Sequence, residues 1–255
     1  MMARKILQSI FIASIGLPLA FLLLLSFGRR WPYPEIFPKE LSLAAWGFLD
    51  NSNMISTFFL SLGISFSVAL FVTLSAFFIS KHIAYSKKRN TFMVLAYIPY
   101  LLSPVVMAVI FQYYFILVQL TGTTLGVIIA QFLIAFPFGV IIYLNFWNEN
   151  LKSIEELSKT LGGNAFQTFV KVLYPLSKNA ILLCFFQVFL ISWFEYGLTN
   201  LIGSGKIKTL TVQVFNFVNE ANIFYASFAC CLLVIPPMLL MYLNKRFIFF
   251  AEKSE

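Results

Sequence analysis

Glu195 is the residue whose type and place most invite chemistry. It stands in Ser192-Trp-Phe-Glu-Tyr-Gly, inside an apolar run long enough to lie within a membrane. An ionisable group at that depth is costly, so it is expected to face a bundle interior or an aqueous cavity. One reading makes it a pathway or gate residue; the other makes it a structural carboxylate paired with nearby backbone or a polar side chain. Gln112, Gln131, Tyr196 and Asn200 are candidates for the same pathway, with interhelical hydrogen bonding as their plainer role.

Other chemistry finds little support. GSGKIKT at 203–209 resembles the end of a phosphate-binding loop, but Asn200 stands where the first glycine is needed. Ile207 replaces the hydroxyl residue that would hold magnesium. No other such loop occurs, so this chain is not expected to bind ATP. Cys184, Cys230 and Cys231 lie in apolar segments without metal-ligand spacing and read as small buried residues. His82 has no His or Cys near it, and Gly122 and Gly126 fall at a turn rather than on a helix face. Paired carboxylates, a nucleophile elbow and a His/Cys cluster are all missing, so covalent catalysis and a metal centre are not expected. The chain does not read as an enzyme.

The elements that position these residues follow from composition. The chain has 255 residues, 60% hydrophobic and 11% charged, with mean hydropathy +0.86. A soluble domain carries about 25% charged residues, so this reads as a polytopic membrane protein in the bilayer. Apolar runs at 6–27, 54–80, 91–120, 125–146, 181–202 and 223–243 each suit the roughly 20 residues that cross about 30 Å of hydrocarbon. The first, after Arg4 and Lys5, is too long for a signal peptide and lacks a cleavage site, so it reads as an uncleaved helix. Pro99, Pro104 and Pro137 predict kinked or broken helices. Residues 28–53, with Pro32, Pro34, Pro38, Trp31, Tyr33 and Trp46, read as an outer loop carrying at most one interfacial helix.

With the N-terminus inside, thirteen of the 18 Lys and Arg fall on the cytoplasmic side. Arg29, Arg30, Lys39, Lys206 and Lys208 fall outside. The net charge of +8 therefore reflects topology; it forms no continuous basic face, and no nucleic-acid partner is expected. Both termini are placed in the cytoplasm.

The longest polar run away from the termini is Asn148 to Ala180. Ser153 and Glu156 have the spacing of a capping box, predicting a helix start. Gly162 and Gly163 break that helix. Phe166, Phe169, Val170 and Leu173 then recur at helical spacing, and Pro175 is expected to stop the second helix. The expected product is a cytoplasmic helix–glycine–helix hairpin whose apolar knob needs a partner.

This hairpin resembles the EAA loop of permease subunits in type I binding-protein-dependent ATP-binding-cassette (ABC) importers. That pattern runs E-A-A, three residues, G, nine residues, then I-x-L-P. Glu156-Leu157-Ser158 stand at the first three positions, Gly162 at the glycine, and Val172-Leu173-Tyr174-Pro175 at the end. Both alanines and the final leucine are replaced, which blurs helix-packing detail. FPFGVIIYL at 136–144 and ISWFEYGLTNLIGSGKIKTLTVQVF at 191–215 are similar to the matching regions, so the likeness extends from Met54 onward. The narrower group it looks like is that of polyamine, thiamine, ferric-iron and phosphonate permeases.

The resemblance implies an all-α, MetI-like fold of six transmembrane helices, one permease domain over 1–255 with the 148–180 hairpin within it. It implies a place in the bacterial cytoplasmic (inner) membrane and a translocation pathway working by alternating access. Its partners would be ATPase subunits, a second permease subunit (a copy or a homologue) and an extracytoplasmic substrate-binding protein. ATP and magnesium would be held by the ATPase, with no cofactor in this chain. Glu156, Gly162, Phe166, Phe169, Val170 and Pro175 would couple the two machines. The rival reading is an ion-gradient-driven secondary transporter, for which the two halves show no convincing inverted repeat.

Overall fold

The computed structural model describes residues 2–29, 38–47 and 52–251. Trp31, Pro32, Tyr33, Pro34, Arg30 and Lys253 lie outside the described residues. Helix α1 covers Met2–Phe27, and a minimal antiparallel pair, β1 (Gly28–Arg29) and β2 (Glu40–Leu41), leads to the one-turn α2 (Ala44–Gly47). Then come α3 (Ser52–Ala84), α4 (Arg89–Tyr97), a 3₁₀ turn at Ile98–Leu101 and α5 (Pro104–Leu117). Helix α6 spans Thr124–Phe146, α7 Glu149–Thr160, α8 Ala165–Thr168, and a π-helical segment Phe169–Leu173 joins α8 to α9 (Tyr174–Trp193). The chain ends through α10 (Gly197–Gly203), α11 (Leu210–Asn219) and α12 (Ile223–Ala251).

Among the described residues, four helical stretches are long and apolar enough to cross a membrane: Asn53–Ala84, Thr124–Phe146, Ala165–Trp193 and Ile223–Lys245. The pair Arg89–Leu101 and Pro104–Leu117, bent by 94°, brings the number to five if it is counted as one broken span. The break predicted from Pro99 and Pro104 is present. Pro99 lies in the 3₁₀ turn, and Pro104 opens α5 behind the Ser103 cap, where its missing N–H costs nothing. The described apolar part of the first span, Gly16–Phe27, is shorter than a full crossing.

The fifth span departs from its expected bounds of 181–202 in two ways. It starts earlier, because Pro175 does not stop the preceding helix. Pro175 sits in the first turn of α9, and the wide π segment before it lets the helix continue. It also ends earlier, at Trp193, with a break before α10.

The chain divides into two compact units, 1–60 with 208–238, and 61–207 with 239–255. In the first, Trp46 stacks on Phe27 at 5.7 Å and meets Phe228 edge-on at 5.3 Å, while its indole N–H donates to Ser26 Oγ. Its other core residues include Leu210, Val212 and Phe217 of α11.

In the second unit, α6 and α9 pack together with α3. Gly139 makes that approach possible: a Cβ there would lie 2.8 Å from Val72 Cγ1 and 3.0 Å from Ala76 Cβ. Trp147, at the end of α6, is buried; its indole donates to Ser80 Oγ at 3.0 Å and its ring meets Phe77 at 5.0 Å. The Arg89 guanidinium donates to the Leu144 carbonyl, one of the free acceptors that end α6.

Candidate coupling hairpin and polar cluster

The hairpin belongs wholly to the second unit. Helix α7 begins where Asn148 Oδ1 accepts the Leu151 N–H at 3.0 Å. The cap expected at Ser153 is therefore five residues too late. Ser153 lies mid-helix and spends its hydroxyl on the Glu149 carbonyl. Local spacing could not separate the two, since both Asn and Ser make good caps and the burial of Leu151 decides. Helix α7 ends at Thr160, and the chain turns at Gly162, whose φ of +85° is a left-handed conformation that favours glycine. Gly162 and Gly163 donate back to the carbonyls of Lys159 and Ser158.

A reciprocal capping box does occur, on α8. The Gln167 N–H donates to Asn164 Oδ1 at 2.8 Å, and the Asn164 N–H donates to Gln167 Oε1 at 3.2 Å. Ser158 Oγ and Thr168 Oγ1 lie 3.0 Å apart, tying the two arms of the hairpin.

The predicted apolar stripe is divided. Leu173 is buried, and Phe169 is half-buried against Phe77 and Phe78 at ring distances of 6.0 and 5.8 Å. Phe166 and Val170 remain exposed, Phe166 at 75%. The π turn shifts the phase of the helix, so equal spacing in sequence does not give one face. The first arm adds Ile154, Leu157 and Leu161, the last 80% exposed. Between the arms lies a shallow groove of about 400 Å³, lined by Leu157, Leu161, Gly162, Gln167 and Val172 among others.

Glu156 is exposed, and its neighbour Glu155 is the buried carboxylate. Glu155 Oε1 accepts from Lys81 Nζ at 2.8 Å and from Lys159 Nζ at 3.0 Å. Burial pushes this carboxyl up, but the two lysine hydrogen bonds outweigh it and hold the carboxyl below the ordinary carboxylate value. Tyr85 responds oppositely: burial and the nearby Glu155, Glu149 and Glu156 raise its phenol. Glu155 was missed from sequence. Its signal was the i,i+4 placement behind Leu151 on the face that becomes buried.

The second group of residues gathers at the break in span five. Glu195 Oε1 accepts the Leu198 N–H at 2.7 Å, and Oε2 accepts both the Thr199 N–H and the Thr199 hydroxyl at 2.9 Å. Its carboxylate thus serves the free N–H groups at the start of α10. Thr199 Oγ1 in turn accepts from Gln131 Nε2 at 2.9 Å, and Gln131 Oε1 accepts from Ser192 Oγ at 2.5 Å. Gln112 Nε2 donates weakly to the Leu201 carbonyl at 3.5 Å. Tyr196 is half-buried at the head of α10, and Asn200 is exposed. The structure brings Gln131 and Glu195 into one network through Thr199 and Ser192, which sequence reasoning did not single out. Among the described residues, no three His, Cys, Asp or Glu gather as metal ligands do.

Several helices long and apolar enough to cross a membrane, with a polar hairpin leading into one of them, are the architecture of a polytopic membrane protein. The chain belongs to the family of binding-protein-dependent transport system inner membrane components, which it matches over residues 82–249. The ferric transport system permease protein FbpB of Actinobacillus pleuropneumoniae is 30% identical over 102 residues, covering 40% of this chain and 15% of that protein. FbpB 1 of Haemophilus influenzae is 30% identical over 102 residues, covering 40% of this chain and 16% of that protein. NifC of Clostridium pasteurianum is 25% identical over 126 residues, covering 47% and 43%. The chain thus spans about a sixth of the ferric relatives and under half of NifC. In fold it is similar to a chain of a bacterial ABC transporter involved in the import of the acidic polysaccharide alginate. The TM-score there is 0.69 at 16% identity, covering 97% of this chain and 95% of that one.

Proposed function

We propose that this chain is the membrane-spanning permease subunit of an ATP-driven importer, coupled to a separate ATPase through the 148–180 hairpin. The observation that carries the reading is the exposure of Ile154, Leu157, Leu161, Phe166 and Val170 along the two arms of the hairpin. Its second arm continues through the π segment into α9. Apolar anchors set in a polar rim are the usual energetic centre of a protein contact. Helical continuity gives a push at Phe166 a direct mechanical route to the break at Glu195.

The bias of Lys and Arg toward one side supports a cytoplasmic hairpin, with both termini on that side. ATP and magnesium then reside on the ATPase, a second permease subunit completes the pathway, and an external binding protein delivers the cargo. Glu195, Gln131, Tyr196, Gln112 and Asn200 mark the part of the pathway nearest the span-five break. Ferric iron is the first cargo to test, since two relatives carry that name. The deciding experiment is purification of the chain from its native membrane with whatever binds it, followed by reconstitution in vesicles. An ATPase that co-purifies and ATP-dependent uptake of ferric iron support the reading. Uptake driven by an ion gradient without any ATPase overturns it.

A further inference from the structure

Glu155 and Lys81 lie apart from the exposed apolar side chains of the hairpin and form an ion pair between α7 and the end of α3. Lys81 lies in the last turn of α3, and Glu155 lies in the middle of α7 on its buried face. Their side chains are 26% and 11% exposed, so the pair is largely removed from water. Three further links run beside the pair, from the end of α3 and Tyr85 to the α6–α7 junction at Trp147 and Asn148. Trp147 donates to Ser80 Oγ, Lys81 Nζ sits 5.9 Å from the Trp147 ring centre, and Tyr85 donates its hydroxyl to the Asn148 carbonyl at 3.3 Å. The other arm of the hairpin needs no such device, because it is continuous with α9.

We propose that the Lys81–Glu155 ion pair is a strut that makes α7 move as one body with the end of α3. The inference rests on the proposed coupling role of the hairpin, and adds that force applied there reaches span two as well as span five. Lys81 and Glu155 act as positioning residues. The charges and not the bulk of the side chains should matter, since an ion pair fixes two segments at one distance; without Lys81, Glu155 keeps only Lys159 of its own helix, which holds nothing to α3. Lys159 reaches the same oxygen but is more than half exposed, so it should contribute little.

The test places spin labels at Leu74→Cys on α3 and Ser153→Cys on α7, both exposed, with the three native cysteines replaced by alanine. The full chain is studied in lipid nanodiscs, first alone and then with its co-purified ATPase under ATP, Mg²⁺ and vanadate. In the parent a single narrow label distance is expected, unchanged by nucleotide. K81M and E155Q should broaden that distribution at least about twofold, and the charge swap K81E/E155K should narrow it again, as expected for a pair that acts through its charges. K159A should leave it unchanged. Broadening in the single variants with recovery in the swap supports the strut. Unbroadened single variants, or a swap that fails to recover, overturn it. The measurement on the chain alone decides the strut even if no ATPase binds, which would sink only the coupling reading.

Discussion

Gln131 and Thr199, 68 positions apart, share a 2.9 Å hydrogen bond that ties the middle of α6 to the first turn of α10. Gln131 is 3% exposed and Thr199 is fully buried. The Thr199 hydroxyl also donates to Glu195, so one side chain completes both the helix cap and the interhelical link.

Replacing Thr199 with valine keeps the shape but strands the Gln131 amide. Leaving a buried polar group unpaired costs about 1–3 kcal/mol, the lower end being usual within membranes. The thermal midpoint in detergent should fall by about 2–4 °C for each kcal/mol in a chain of this size. Thr199→Ser, which retains the hydroxyl, should recover most of the loss. A valine variant within about 1 °C of the parent, less than the shift that 1 kcal/mol gives, would sink the link.

The hairpin separates two aromatic roles that sequence spacing had merged. Phe166→Asp changes an exposed side chain and should leave the amount of folded protein in the membrane unchanged while ATPase co-purification is lost. Phe169→Asp puts a carboxylate against Phe77 and Phe78, and should reduce folded protein itself. Quantitative blotting of membranes beside co-purification measures both. Equal behaviour of the two variants would contradict the division.

Glu155 gives stability a pH dependence of known sign. Its folded carboxyl titrates below the ordinary value of 4.5, so the stabilisation is complete above pH 4.5 and fades as pH falls through the lower folded value. The gap in thermal midpoint between the parent and Glu155→Gln should be widest near neutrality and shrink below pH 4.5. A gap that stayed constant from pH 7 to about pH 3 would show that Glu155 is not held by its lysines.

Gly139 should tolerate no side chain without a response from α3. Alanine there places its Cβ 2.8 Å from Val72 Cγ1, and overpacking of this kind costs about 1–3 kcal/mol. The double variant Gly139→Ala with Val72→Ala should recover part of that loss in the same melting assay. If Gly139→Ala alone raised the midpoint, the close packing of α3 on α6 would be wrong.

Features that depend on neighbours in sequence were legible without coordinates. Long apolar runs marked the spans, Pro99 and Pro104 marked the break, and Gly162 marked the hairpin's turn, because each acts through solvent preference or backbone geometry within a few residues. The tertiary structure decided everything that depends on which distant segment lies alongside. Phe169 turns inward because Phe77 and Phe78 are there to receive it, while Phe166, three residues earlier, stays exposed. Glu155, and not Glu156, became the buried carboxylate because Lys81 stands opposite α7 on that face. Glu195 acquired its partners only when the helix broke at Trp193 and turned the Leu198 and Thr199 N–H groups toward it. A local pattern states what a side chain needs, and the packing of remote segments determines which group supplies it.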